Sequence, residues 1–245
     1  MNKYGLIGFP LGHSFSKKYF SEKFKTEKID AIYNLYELAD ISQFTALKDD
    51  STLCGLNVTI PYKEKIIPFL DEVDATAARI GAVNVIKFIR SGNKLLLRGY
   101  NSDAVGFEAS IKPLLKPHHT KALILGTGGA SKAIEFVMNK LNIQTVFVSR
   151  NPTSDMISYA ELDAETIKDY TIIINATPVG TFPHIDACPD IPYQFLSSEH
   201  LVFDVVYNPA KTLFLEKSEQ RGATILNGEK MLELQAEAAW EIWNA

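Results

Sequence analysis

The stretch Ala122-Leu123-Ile124-Leu125-Gly126-Thr127-Gly128-Gly129-Ala130-Ser131-Lys132-Ala133 decides the fold. Its four leading apolar residues read as a short buried strand, and the segment through Leu141 carries a helical pattern. Between them stands G-x-G-x-x-(small). Gly126 suits a tight turn, Gly128 lets the backbone approach a pyrophosphate, and Ser131 is small enough for close helix–strand packing. Unpaired N–H groups at the start of the helix would then face phosphate. A bare glycine match is weak evidence, but the strand–turn–helix context makes it point to a dinucleotide. The next strand, residues 145–149, ends at Ser149-Arg150-Asn151. An NAD site offers Asp or Glu there to the ribose 2′-OH, whereas an arginine suits a 2′-phosphate. Arg150, with no carboxylate at 149–151, favours NADP. The alternative is a solvated loop arginine.

Outward from this unit, apolar runs alternate with helical patterns almost from end to end, which predicts an α/β fold with parallel sheets. Upstream, strands are expected at residues 4–9, 31–38 and 53–60, with helices at 17–28 and 41–47. Pro61 suits the first turn of a further helix. Residues 83–89 and 94–100 flank Ser91-Gly92-Asn93 as a hairpin. Downstream, a helix is expected at 104–115 and strands at 121–125, 171–175, 201–206 and 223–226, with an amphipathic helix at 231–243. The organisation is an α/β unit at 1–102 followed by a Rossmann-type doubly wound parallel sheet at 103–229. The terminal helix, 230–245, has the option of packing back onto the first unit.

Composition bounds the partners. The 245 residues are 46% hydrophobic and 22% charged with a net charge of −4, as in an ordinary soluble globule. No basic block points to nucleic acid, and no apolar run reaches membrane-spanning length. Two cysteines, Cys54 and Cys188, without CxxC spacing, disfavour a disulfide framework and a structural zinc site. The expectation is a cytoplasmic, metal-free protein that binds small molecules, as a monomer or homodimer.

Four upstream segments place polar side chains at strand ends, loops or helix starts. Gly8-Phe9-Pro10-Leu11-Gly12-His13-Ser14-Phe15-Ser16 offers two hydroxyls. Asn57-Val58-Thr59-Ile60-Pro61-Tyr62-Lys63 sets a lysine at the expected helix start, where the dipole disfavours a cation. Gly81-Ala82-Val83-Asn84 offers an amide, and Asn101-Ser102-Asp103 a carboxylate. Singly, each has a structural reading: Ser14, Ser16 and Asp103 as helix caps, Lys63 as a surface lysine, Asn84 as a turn residue.

Together these segments resemble the shikimate dehydrogenase family over nearly the whole chain. Gly8–Ser16 is similar to its G-x-P-x-x-H-S-x-S, Asn57–Lys63 to N-V-T-x-P-x-K, Gly81–Asn84 to G-A-x-N. Asn101–Asp103 is similar to N-T-D with Ser102 for threonine, and Gly126–Ala130 to G-A-G-G-A with Thr127 for alanine. Asn175-Ala176-Thr177-Pro178-Val179-Gly180 resembles N-A-T-P-x-G; Asp204, Tyr207, Pro209 and Thr212 resemble D-x-x-Y-x-P-x-x-T. Gly228, Met231-Leu232 and Gln235-Ala236 resemble G-x-x-M-L-x-x-Q-A. Two segments depart from the pattern: Lys17-Lys18-Tyr19-Phe20, where the family has P-x-x-H-N, and Ser149-Arg150-Asn151, where it often has N-R-T.

The resemblance implies the NADP-dependent interconversion of 3-dehydroshikimate and shikimate. It implies that Ser14 and Ser16 hold the substrate carboxylate, and that Thr59, Asn84 and Gln235 bind ring hydroxyls. Lys63 and Asp103 would be the catalytic pair, since hydride delivered to a carbonyl carbon creates an alkoxide that must be stabilised or protonated. The implied cofactor set is Gly126, Gly128, Gly129, Ala130, Ser149 and Arg150, with Thr177, Val206, Tyr207 and Gly228 at the nicotinamide end. Two alternatives stay open: an NAD-preferring quinate/shikimate paralogue, and a catalytically silent nucleotide sensor of the same fold.

Overall fold

The computed structural model describes residues 1–245 apart from His13 and Asn93. The chain divides into two compact units, Met1–Gly106 with Glu233–Ala245, and Phe107–Leu232. The first contains β1 (Asn2–Gly8), α1 (Phe15–Thr26), β2 (Ala31–Glu37), α2 (Phe44–Leu47), β3 (Leu53–Val58), β4 (Glu72–Val73), α3 (Ala75–Ile80), β5 (Val85–Ser91) and β6 (Lys94–Tyr100). Helix α4 (Asp103–Ile111) carries the chain into the second unit. That unit contains β7 (Lys121–Leu125), α5 (Gly129–Lys140), β8 (Gln144–Ser149), β9 (Met156–Ser158), α6 (Ala164–Asp169), β10 (Ile172–Asn175), β11 (Leu201–Asp204), α7 (Leu213–Glu219) and β12 (Thr224–Leu226). Helix α8 (Glu229–Asn244) starts there and ends in the first unit. The units thus divide inside α4 and α8, whereas the sequence reading put its breaks near the starts of these helices.

In the second unit the strand order is β12-β11-β10-β7-β8-β9, and every pairing is parallel. This is the doubly wound order in which the chain reverses direction between β7 and β10. Strands β7, β10 and β11 are buried along nearly their whole length, so they read as unbroken apolar runs rather than alternating ones. Ligands in such sheets bind outside the carboxyl ends of the strands at the reversal, which here means the loops after Leu125 and Asn175.

The first sheet, ordered β2-β1-β3-β5-β6-β4, is mixed rather than parallel. β1 pairs in parallel with β2 and β3, whereas β5 pairs antiparallel with β3 and β6. The short turn between β5 and β6 accounts for the second of these antiparallel pairs, since such a turn can join only antiparallel strands. Ser91 stands opposite Lys94; Asn93 of the expected turn lies outside the described residues. This topology carries the carboxyl ends of β1, β3 and β6 and the amino end of β5 to one edge of the sheet.

One expected element is absent. Residues 61–66 form successive turns and only 67–69 a short 3₁₀ segment, so Pro61 opens no α-helix. Pro68 explains it: a helix starting at 61 would meet a residue without an N–H, whose ring clashes one turn back. Lys63 is therefore held by a turn and not at a helix start.

An aromatic cluster packs α1 and α8 against one face of the first sheet. Trp243 lies against Tyr4 and Phe20, with ring centroids 4.8 and 5.3 Å away, and its indole N–H donates to the Ile86 carbonyl at 3.1 Å. Gly55 of β3 makes this possible, because a Cβ there would lie 2.3 Å from the Trp243 ring. The ring is fixed on several sides and cannot yield cheaply. Gly55→Ala is expected to destabilise the protein by about 1–3 kcal/mol, read as a lower urea midpoint with an unchanged slope; an unchanged midpoint would show that α8 is not seated this way.

Candidate active site

The edge of the first sheet gathers the polar residues picked out upstream. Asp103 is the first residue of α4, a favourable place for a carboxylate near the helix N-terminus. Lys63 Nζ donates to its Oδ2 at 2.6 Å, with the two side chains 14% and 3% exposed. Asn84, buried just before β5, donates through Nδ2 to Asp103 Oδ1 at 2.9 Å and to Ser102 Oγ at 3.0 Å. The same Nδ2 lies 3.4 Å from Gln235 Oε1 on α8. Asn84 Oδ1 accepts from the Ser102 amide at 2.7 Å. The backbone ties these segments together: Val83 N–H donates to the Lys63 carbonyl at 2.8 Å, and Asn84 N–H to the Tyr100 carbonyl at 3.0 Å. Asn101 fixes the start of α4, accepting from the Ala104 amide at 3.1 Å and donating to the Ala82 carbonyl at 2.9 Å.

The other upstream residues reach the same edge but not this cluster. Thr59 follows β3, its N–H donating to the Ile7 carbonyl at 2.9 Å. Ser14 is the N-cap of α1 and accepts from the Lys17 amide at 3.2 Å. Ser16 lies in the first turn of α1, and the Tyr33 hydroxyl of β2 donates to Asn57 Oδ1 at 2.7 Å. The capping reading of Ser14 is thus realised, and a cap oxygen keeps further hydrogen-bonding capacity toward a ligand. His13 of this loop lies outside the described residues.

In the second unit the glycine turn occupies the reversal point. Gly126 has φ +99°, and a Cβ there would lie 2.6 Å from Thr177 Cγ2, so both conformation and space require glycine. Gly128 is the residue before α5, and no atom stands within 4 Å of where its Cβ would be. Gly129 and Ala130 open the helix. This open backbone cradle at a helix N-terminus fits a pyrophosphate. Ser131 is fully buried, so its place demands a small residue. Ser149 Oγ accepts from the Asn151 amide at 3.1 Å, which shapes the turn presenting the exposed Arg150. Val206, Tyr207 and Gly228 follow β11 and β12 at the same sheet edge, where Gly228 N–H donates to the Val206 carbonyl at 3.2 Å.

Sequence reasoning gave no separate role to Ser102, Asn175 or Asp204. Asn175 and Asp204 are both fully buried and bonded to each other at 2.9 Å. The signal was a polar residue ending each of two otherwise apolar strands, where a strand with no ligand or loop to hold would keep an apolar residue.

A doubly wound sheet with an open glycine turn at its reversal, in one chain with a second α/β unit bearing a buried Lys–Asp pair, defines a two-domain α/β protein of the dinucleotide-binding class. Comparison with known proteins narrows this. A family model described as the shikimate dehydrogenase substrate binding domain matches residues 6–86. The NADP(+) shikimate dehydrogenase of Methanosphaera stadtmanae is 37% identical over 98% of this chain and 90% of its own. Among solved structures, shikimate dehydrogenase from Aquifex aeolicus superimposes with a TM-score of 0.86 at 32% identity, covering 99% of this chain and 92% of that one. The Thermus thermophilus enzyme in complex with NADP(H) and shikimate has a TM-score of 0.85 at 26% identity, covering 99% and 93%. The chain belongs to the shikimate dehydrogenase family. Among the described residues no helix is long and apolar enough to cross a membrane.

Burial pushes the Asp204 carboxyl up to about 6, against the pull of its bonds from Thr212, the Val206 amide and Asn175. A carboxyl raised on folding adds nothing unfavourable while protonated in both states. Its contribution to stability is lost as pH climbs from the unfolded value, 3.8, through the folded one. Asp204→Asn cannot ionise. Relative to the parent it should therefore gain about 2 kcal/mol between pH 4 and pH 7, measured by urea unfolding at both pH values. A difference that does not change with pH would contradict the raised pKa.

Proposed function

We propose that the chain is an NADP-dependent shikimate dehydrogenase that interconverts 3-dehydroshikimate and shikimate, a step of aromatic amino acid biosynthesis in the cytoplasm. The observation that carries the reading is the buried Lys63–Asp103 pair, held by Asn84 at a sheet edge that also presents Ser14, Ser16 and Thr59. A small carboxylated ring with hydroxyls matches that edge chemically: hydroxyl donors for a carboxylate, and amide and charged groups for alcohols.

The bound nicotinamide would supply or accept the hydride. The chain's own residues do the rest. Ser14 and Ser16 hold the carboxylate, and Thr59, Asn84 and Gln235 orient the ring hydroxyls. Lys63 and Asp103 stabilise charge developing on the reacting oxygen and hold the proton it gains or loses. In the second unit Gly126, Gly128, Gly129 and Ala130 cradle the pyrophosphate, Ser149 and Arg150 contact the adenosine ribose, and Thr177, Val206, Tyr207 and Gly228 line the nicotinamide. Lys63 and Asp103 argue against a silent sensor, which needs neither.

Absorbance of the reduced cofactor, followed with shikimate and either NADP or NAD, tests the reading. Rapid reduction of NADP supports it. Preference for NAD or for quinate would move the chain to the paralogue reading, and no turnover with either cofactor would overturn the assignment. Arg150 sharpens the test, because a guanidinium can pair with a 2′-phosphate but only stack on the adenine of NAD. Arg150→Ala is expected to raise the NADP KM by roughly 10-fold or more, the scale of one charge-assisted contact. The NAD KM should move far less, and the NADP effect should shrink with added salt, since Arg150 is exposed. Equal losses with both cofactors would show that Arg150 only shapes its loop.

A further inference from the structure

We propose that the buried Asn175–Asp204 dyad is the positioning element that sets the cofactor-binding edge of the second unit; the inference rests on the reading of that edge as an NADP site. The loops leaving these parallel strands have few backbone partners beyond the strand ends, such as Val205 N–H to the Asn175 carbonyl at 2.9 Å, so side chains share in fixing their shape. In the register of β10 and β11, Asn175 stands directly opposite Asp204. Asn175 Oδ1 accepts from the Thr177 hydroxyl at 2.6 Å and the Thr177 amide at 3.1 Å. Its Nδ2 donates to Asp204 Oδ1 at 2.9 Å and to the Val179 carbonyl at 3.3 Å. Every hydrogen-bonding capacity of this amide is used. Asp204 also accepts from the Val206 amide at 3.0 Å and from the Thr212 hydroxyl at 2.6 Å.

The dyad reaches four strand ends. Through Thr177 it sets the wall against which Gly126 fits at the end of β7. Through Val206 it sets the loop after β11, which in turn receives the Gly228 amide from the end of β12. Gly228 has no room for a Cβ, which would lie 2.2 Å from the Val205 carbonyl oxygen. Both members of the dyad are 0% exposed, so they act through Thr177 and Val206 and do not touch a ligand. Removing Asp204 strands the Val206 amide, the Thr212 hydroxyl and one Asn175 N–H in a buried place, and the loops must shift to satisfy them.

NADPH binding to the full chain, followed by fluorescence, tests this in Asp204→Ala, Asn175→Ala, the double alanine variant, Asp204→Asn and the core control Ile167→Ala. Both dyad alanine variants should weaken NADPH binding by roughly 10-fold or more, with the double variant no worse than either. Asp204→Asn keeps an acceptor at Oδ1 and should restore part of the affinity. Ile167→Ala lowers stability through a cavity and should bind NADPH as the parent does. Shikimate affinity, set by the first unit, should hold within about twofold in all five, below the loss of one hydrogen bond. If the alanine variants do not fold, Asp204→Asn alone decides: weaker NADPH binding supports the dyad, and parental affinity overturns it. Equal weakening in Ile167→Ala also overturns it, since stability would then explain the effect. A parent that binds NADPH without oxidising shikimate defeats the substrate assignment and leaves the dyad to be judged on binding; a parent that binds no NADPH defeats both.

Discussion

The ion pair between Lys63 and Asp103 sets the strictest demand on the structure. Two opposite charges at 2.6 Å, nearly removed from water, are costly to desolvate and tolerable only if their remaining capacity is satisfied. Asn84 meets part of that demand from the amino end of β5, and the N-terminus of α4 meets part through its dipole. Each supporting group must in turn be fixed. The Asn84 side chain is gripped by the Ser102 amide, its backbone by Tyr100, and the Lys63 carbonyl by Val83. The mixed sheet is what makes this possible, since its hairpin brings the start of β5 and the end of β6 beside the end of β3.

The second unit solves a related problem with different means. Its sheet edge carries no side chain at Gly126, Gly128 and Gly228. Shape is then supplied from below by buried hydrogen bonds. The Asn175–Asp204 pair does this at a cost visible in the raised pKa of Asp204. In both units polar groups are buried at a sheet edge and matched almost bond for bond, which fits sites that must hold their geometry before a ligand arrives.

Much of this was legible in the sequence. The glycine turn was readable because a strand pattern and a helix pattern flank it, and local residues decide its conformation. The long strands and helices were readable from periodicity. Helices α3, α6 and α7 were missed: each spans fewer than two turns, too few for a 3.6-residue period to emerge, although Asp74, Asp163 and Thr212 cap them. The helix expected at Pro61 does not form because Pro68 lies within its span. Asn175 and Asp204 could not be paired from sequence, since only the strand register sets them opposite one another. Lys63 and Asp103 read singly as a surface lysine and a cap; only the family resemblance named them as a pair, and the structure brings them into contact.

The central claim is that Lys63 and Asp103 act as one unit on the reacting oxygen. A double-mutant cycle on kcat for shikimate oxidation tests it most directly, comparing Lys63→Ala, Asp103→Ala and the double variant with the parent. Groups acting together lose most of their effect when either is removed. The account predicts that each single variant loses turnover by orders of magnitude and that the double variant is hardly slower than the worse single one. Losses that multiply would mean two independent contributions, and near-parental turnover in either single variant would mean that the pair does not carry the chemistry.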